Sequence, residues 1–326
     1  MSERTYLGID IGGTNIKLAL VSSTGRILHR GIIETDGDQG PRPTMRRIRM
    51  AVRSFMGSGV KPAAAGVGCA GLIDAKKGVL LTSPNLPKWK NAPLARIAEK
   101  ELGVQTYVDN DVNVAAYGEY MCGSGRGYKN LICLTLGTGV GGGIVSNGTL
   151  LRGTANFAGE IGHMSIHLDG PRCKCGNRGC LEAYVGKYAL VRSARAKLKS
   201  KTGSVLGKLN QRQMRELTPK MIFHAAQRGD RVAKEVLNDA AEYLGSAVAS
   251  LVNIFNPDVI AFGGGVSGAF DLMKPRLEKV VQSRAFAAPA SMVKLCRSQL
   301  GNDASTVGAA LLAKDQLTGR CKEDGQ

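Results

Sequence analysis

No apolar run in this 326-residue chain approaches the roughly 20 residues a helix needs to cross a bilayer. The opening stretch, MSERTYLGID, enters a strand-like pattern at once and lacks the basic-then-apolar layout of a signal peptide. The expectation is a cytoplasmic protein without membrane partners. The P-loop spacing is missing, and the first glycine turn is not GxGxxG, so neither a P-loop nucleotidase nor a dinucleotide-binding oxidoreductase is favoured. A redox CxxC pair is missing too, because the closest cysteines are spaced CxC. Acidic residues are few: 26 Asp and Glu face 44 Lys and Arg, a net charge of +18. Eleven of those bases lie between Tyr184 and Arg228 against the single acid Glu216. That stretch reads as a solvated basic face; the sharper reading is a surface for a polyanion. No aromatic residue interleaves with the charges between Tyr188 and Phe223, so single-stranded nucleic acid is not a supported partner.

With 43% hydrophobic and 21% charged residues the composition is globular, and the length allows two domains, each with its own core. A β-β-β unit is written twice. Tyr6–Ile11 runs into GGTN, then IKLALV, a short turn and RILHRGI; about 125 residues later NLICLTLGTGVGGGIVSNGTLLRG repeats the pattern. Gly12, Gly13 and Thr14 overlie Gly137, Thr138 and Gly139. A third glycine turn, Gly263–Gly265, follows an amphipathic helix carrying Leu237, Leu244, Val248 and Leu251, a stop at Asn256–Pro257 and a buried strand at Val259–Phe262. Each turn alone is weak, since glycine after a strand is often only turn geometry. Three in two related halves suggest a nucleotide held by backbone N–H groups in a cleft between them.

Between the repeats a predicted strand, Thr106–Val108, ends in Asp109, Asn110, Asp111 and Asn113, with a helix after it. One of these residues caps the helix. Four in five positions exceed what capping needs, and a carboxylate among amides is suited to binding hydroxyls and accepting a proton from one.

The densest motif is HMSIHLDGPRCKCGNRGCLEAY, residues 163–184. Cys173, Cys175 and Cys180 offer three thiolates, and a structural Zn²⁺ site needs a fourth ligand. His163 and His167 both qualify, and would share a face if this stretch were a strand. Spacing does not choose between them. The other five cysteines read as small buried hydrophobes.

DIGGTNIK at 10–17, DNDVN at 109–113, LGTGVGGG at 136–143, GEIGH at 159–163 and CKCGNRGCLE at 173–182 together resemble the ROK family of repressors and sugar kinases. The resemblance runs in order over nearly the whole chain. It implies an α/β, actin/hexokinase-like (ribonuclease H-like) fold of two domains around a cleft. The expected boundaries are 1–113 for a small domain completed by a C-terminal helix at 304–318, and 114–303 for a large domain bearing the zinc loop 163–180. It also implies ATP-dependent transfer of a phosphoryl group to the 6-hydroxyl of glucose, with Asp111 as general base. Asp10 would stand near Mg²⁺. Gly12, Gly13, Thr14 and Lys17 would meet one part of the phosphate chain and Gly137, Thr138 and Gly139 another, while Gly264 and Gly265 would border the adenosine. Gly71, Asn85, Asn110, Glu160, His163 and Glu182 would line the sugar, and His163 would be the fourth zinc ligand. A homodimer is the implied assembly.

The family leaves alternatives. N-acetylmannosamine, N-acetylglucosamine, fructose and mannose kinases share these motifs, and the basic 184–228 stretch raises inorganic polyphosphate as a donor. Sugar-responsive repressors of the family carry a helix-turn-helix ahead of the DxGGT motif. Here that motif begins at Asp10, so the kinase reading is preferred.

Overall fold

The structure, a computed structural model, describes residues 4–56, 61–200, 203–209 and 211–319. In chain order the elements are β1 (Thr5–Ile11), β2 (Asn15–Ser22), β3 (Ile27–Glu34), α1 (Pro41–Met56), β4 (Ala65–Cys69), β5 (Leu72–Asp74), β6 (Val79–Thr82), α2 (Leu94–Leu102), β7 (Thr106–Asn110) and α3 (Asp111–Cys122). There follow β8 (Leu131–Leu136), β9 (Val140–Ser146), β10 (Thr149–Leu150), α4 (Glu182–Val185), α5 (Lys187–Ser200), α6 (Gln211–Arg215) and α7 (Pro219–Gln227). The last are α8 (Arg231–Phe255), β11 (Val259–Gly263), α9 (Phe270–Arg284), α10 (Ala287–Met292), β12 (Lys294–Arg297) and α11 (Ala304–Leu317).

Two five-stranded sheets have orders β3-β2-β1-β4-β7 and β10-β9-β8-β11-β12. The duplicated β-β-β unit of the sequence is thus present in both, although the third strand of the second copy shrinks to Thr149–Leu150. Two compact units share the chain: described residues of 1–133, 143–159 and 298–326 form one, and 134–142 with 160–297 the other.

In the first unit β1, β4 and β7 run parallel, with Ile11 opposite Cys69 and Cys69 opposite Asn110. Their carboxyl ends therefore deliver Asp10, Cys69 and the Asp109–Asp111 stretch to one edge, where ligands bind in open α/β sheets. One face is covered by α1, whose Met45, Ile48, Val52 and Met56 recur at helical spacing and pack with Ile9, Ile16 and Leu18. The single tryptophan, Trp89, is buried in the same core and donates its ring N–H to Gly37 O at 2.8 Å. Close backbone approach sets the other face. A Cβ on Gly8 would fall 1.8 Å from Thr306 O of α11, and one on Gly308 would fall 1.7 Å from Val114 O of α3. Even an alanine at Gly308 would push the two helices apart. This crossing keeps α3 and α11 together in the first unit, so a division after residue 113 does not coincide with the compact units.

In the second unit α8 is the expected long helix, with Leu237, Leu244, Val248 and Leu251 all buried. Asn256 ends it in the left-handed conformation, as a C-terminal cap does. The buried strand β11 follows. The basic stretch forms α5, α6 and α7, and part of its charge is neutralised locally. Lys197 pairs with Asp239 at 2.8 Å, Arg212 with Glu216 at 3.3 Å, and Arg192 and Arg195 donate to backbone carbonyls. No described helix is long and apolar enough to cross a membrane. The sequence GRCKEDGQ lies outside the described residues but for Gly319.

Candidate active site and metal centre

Local geometry at the edge of the first sheet explains the DNDVN motif. Asn110 is the cap of α3: its side-chain oxygen accepts from the backbone N–H groups of Val112 at 2.8 Å and Asn113 at 3.2 Å. Its amide donates to Gly71 O at 3.1 Å, which joins two predicted sugar-pocket residues. Asp109 is committed elsewhere. It is 2% exposed, accepts from Asn110 N and Asn113 Nδ2, and pairs with Arg152 at 2.8 Å. Asp111, the other acid of the motif, is the half-buried first residue of α3.

Asp10 stands opposite Lys17 across the β1–β2 pair, with 3.5 Å between carboxylate and ammonium. Burial still pushes the Asp10 carboxyl above the usual range despite that cation. A second positive charge beside it would relieve this penalty, so the residue fits a divalent cation. Cys69 lies between the two acids. Burial first, then the charges of Asp111 and Asp10, drive its thiol far above the ordinary value. Gly12–Thr14 is pinned by Thr35, whose hydroxyl donates to Gly12 O at 2.7 Å and whose N–H donates to Thr14 O. Gly13 faces Asn85: an added Cβ would come within 2.9 Å of Asn85 Cβ.

The second unit gathers the other predicted residues. Gly137–Thr138–Gly139 turns the chain from β8 to β9, and Gly264, at the end of β11, abuts Leu136 O. Glu182 opens α4 and points at that turn, accepting from Val140 N at 3.0 Å. Its other oxygen lies 3.6 Å from Cys173 Sγ. Gly265 starts the short turn into α9, and Glu160 is exposed, its carbonyl accepting from His163 N at 2.9 Å.

One ligand atom each from His163, Cys173, Cys175 and Cys180 lie within 4.8 Å of one another. Cys175 Sγ and Cys180 Sγ are 3.7 Å apart, as are Cys173 Sγ and His163 Nδ1. Neighbouring ligand atoms of a tetrahedron with Zn–S near 2.3 Å lie about 3.6 to 3.8 Å apart, so the four residues fit such a centre. Burial and the adjacent thiols push Cys180 up to about 12, crowding that a cation would reverse. The residues are not on a strand. Ile161–His163 is a 3-10 turn and the rest a knuckle, in which a Cβ on Gly179 would overlap His167 O at 1.7 Å. His167 itself is exposed and outside the cluster.

Thr35 and Arg152 are residues beside the site that the sequence does not single out, while Cys69 is the buried small side chain expected of it. Thr35 lies outside the quoted motifs and Arg152 at the end of the second β-β-β copy, and their contacts emerge only from sheet and loop closure.

A duplicated β-β-β sheet unit, carboxylates at parallel strand ends and a Cys₃His knuckle define a protein of the actin-like ATPase fold class. The ROK family profile matches residues 6–316, and the chain belongs to the ROK family. It is 34% identical over 319 residues to a glucokinase of Thermotoga maritima, covering 98% of this chain and 100% of that one. A glucokinase of Halalkalibacterium halodurans is 36% identical, with 97% of each covered. The structure of a ROK family glucokinase from Streptomyces griseus, in complex with glucose and AMPPNP, superposes with a TM-score of 0.81 at 34% identity, covering 95% of this chain and 99% of that one. A xylose repressor of Caldicellulosiruptor bescii is 32% identical over 96% of this chain and 79% of its own length.

Proposed function

We propose that the chain is an ATP-dependent hexose kinase that phosphorylates the 6-hydroxyl of glucose. The observation that carries this is the convergence of Asp10 and Asp111 on Cys69 at the carboxyl ends of parallel strands. The relatives named glucokinase, and the Streptomyces griseus enzyme with glucose and AMPPNP, support the substrate pair.

Asp111 accepts the proton of the 6-hydroxyl as that oxygen attacks the γ-phosphorus and the bond to the ADP oxygen breaks. Such transition states are loose, so most of the rate comes from positioning and charge stabilisation. The Gly12–Thr14 and Gly137–Gly139 turns serve the phosphates with backbone N–H groups, Gly264 and Gly265 border the adenosine, and Lys17 keeps Asp10 oriented. Asp10 would stand near Mg²⁺, which would supply charge neutralisation on the phosphate oxygens.

His163 and the three cysteines would hold zinc, which would supply a fixed imidazole tautomer. His163 Nε2 is then an N–H donor for a sugar hydroxyl. Glu160 and Glu182 accept from other hydroxyls, and Gly71, Asn85 and Asn110 complete the sugar subsite. A fixed donor and acceptor set discriminates among sugars because a wrong hydroxyl leaves a buried group unpaired. A cytoplasmic homodimer rests on the family resemblance, and sedimentation of the purified chain checks it.

The test is ADP release from ATP–Mg²⁺ with glucose, mannose, fructose, N-acetylglucosamine and N-acetylmannosamine. Preference for glucose is expected. Preference for an N-acetyl sugar would keep the mechanism and reassign Glu160 and Glu182. Absence of turnover with every sugar would overturn ATP as the donor and make inorganic polyphosphate the next donor to assay.

A further inference from the structure

Asp109 stands one residue before the cap of α3 and two before Asp111, yet neither of its oxygens is available for chemistry. Oδ1 accepts from Asn110 N at 2.8 Å and from Asn113 Nδ2 at 2.9 Å, and Oδ2 accepts from Arg152 Nε at 2.8 Å. The side chains of Asp109 and Arg152 are 3% and 16% exposed. Arg152 in turn closes the base of a loop, since its carbonyl accepts from Ala158 N at 2.9 Å. The chain leaves that loop base through Gly159 and enters Glu160 and then His163.

We propose that the Arg152–Asp109 pair is a positioning strut, which holds the start of α3 and the base of the 152–158 loop in one register. Asp111 and the point from which the chain departs towards Glu160 are then fixed by the same contact. A buried ion pair is weak grounds for stability, because desolvation offsets much of its attraction, and its best-attested use is to select one arrangement among several. This pair fits that use: removal of Arg152 leaves Asp109 buried with its charge uncompensated, and the Asn110–Asn113 cap must shift to accommodate it. Arg152 touches no reacting atom and acts through Asp109. The kinetic part of the idea rests on the proposed kinase reading; the structural part does not.

The test compares full-length wild type with Arg152→Met, which keeps the apolar stem, and Arg152→Lys, which restores a charge without the planar fork. Displacement of a reacting group by about 1 Å can cost on the order of 100-fold. For Arg152→Met the expected result is kcat lower by about 10- to 100-fold and a glucose KM several-fold higher at unchanged ATP KM. Arg152→Lys should recover part of both. Wild-type kcat and glucose KM in Arg152→Met, or a loss that merely follows the fraction of folded protein, overturns the proposal. Hydrogen exchange gives a reading free of turnover. The amides of Val112 and Asn113, bonded to the Asn110 cap, and that of Ala158 should lose protection together in Arg152→Met. Loss confined to Ala158, or at none of them, sinks the strut even if the wild type phosphorylates no sugar. Coupled loss supports it in that case as well.

Discussion

Gly139 offers a way to test the proposed sugar role of Glu182 from the neighbouring turn. A methyl group added there would lie 2.3 Å from Glu182 Oε2 and 3.3 Å from its Cδ. Ordinary contact requires the carboxylate to retreat by about 1 Å, and its hydrogen bond from Val140 N breaks. Glu182 is a flexible side chain, so Gly139→Ala should fold normally. A hydrogen bond to a charged group contributes about 1.5–3 kcal/mol, which corresponds to about a 10- to 150-fold change. If Glu182 binds a sugar hydroxyl, Gly139→Ala should lower kcat/KM for glucose by that factor. Gly137→Ala is the control: it alters the same turn, but an added Cβ meets nothing within 4 Å. Coupled assays varying glucose at saturating ATP, then ATP at saturating glucose, separate the two effects. Equal losses in both variants, or a rise in ATP KM alone for Gly139→Ala, would refute the assignment of Glu182 to the sugar.

Asp111→Ala should lower kcat by about 10²- to 10⁴-fold, the range for a lost general base, while ATP still raises the melting temperature. Stripping metal with a strong chelator should release one zinc per chain and raise the glucose KM by about 10- to 100-fold; metal analysis and kinetics on the same sample check both. Glu119 is buried, which pushes its carboxyl up, but hydrogen bonds from Ser124, Ser298 and the Ser124 and Leu300 amides more than offset that and hold it below its ordinary 4.5. A depressed carboxyl adds stability above pH 4.5 that is lost as pH falls through the folded value. Glu119→Gln should therefore cost about 1–3 kcal/mol at pH 7 and flatten the acid limb of a melting-temperature profile.

Much of the fold is legible because it is carried by local pattern. The two β-β-β copies are apolar runs broken by glycine turns, and α8 has a hydrophobic face with a clear stop at Asn256–Pro257. The metal cluster is legible from cysteine spacing, yet spacing leaves His163 and His167 open. The choice depends on a 3-10 turn that aims His163 Nδ1 at Cys173. The compact units are less legible. Nothing at residue 113 signals that α3 is held against α11 by Gly118 and Gly308, nearly 200 residues apart, since both glycines look like ordinary helix interruptions. Within DNDVN the sequence shows two acids without ranking them by environment. Arg152, which pairs with Asp109, lies 43 residues away at the end of the second β-β-β copy, where the strand pattern says nothing of its partner.

The Cys₃His knuckle is best understood through Glu182. One carboxylate oxygen faces Cys173 of the knuckle and the other accepts from Val140 N in the turn that also contains Thr138. Four residues later Gly186 packs on Glu182 O and Thr138 O, and Lys187 N donates to Gly137 O. The knuckle, Glu182 and the Gly137–Gly139 turn are thus linked within one unit by contacts of single hydrogen bonds. A metal that fixed Cys173 and Cys180 would fix the base of α4, and with it the Glu182 carboxylate. The cysteines need perform no chemistry. If the knuckle holds a metal, its loss should act on Glu182 and His163 together, which distinguishes it from Glu182→Gln, where the Gly137–Gly139 turn loses its partner but His163 keeps its orientation.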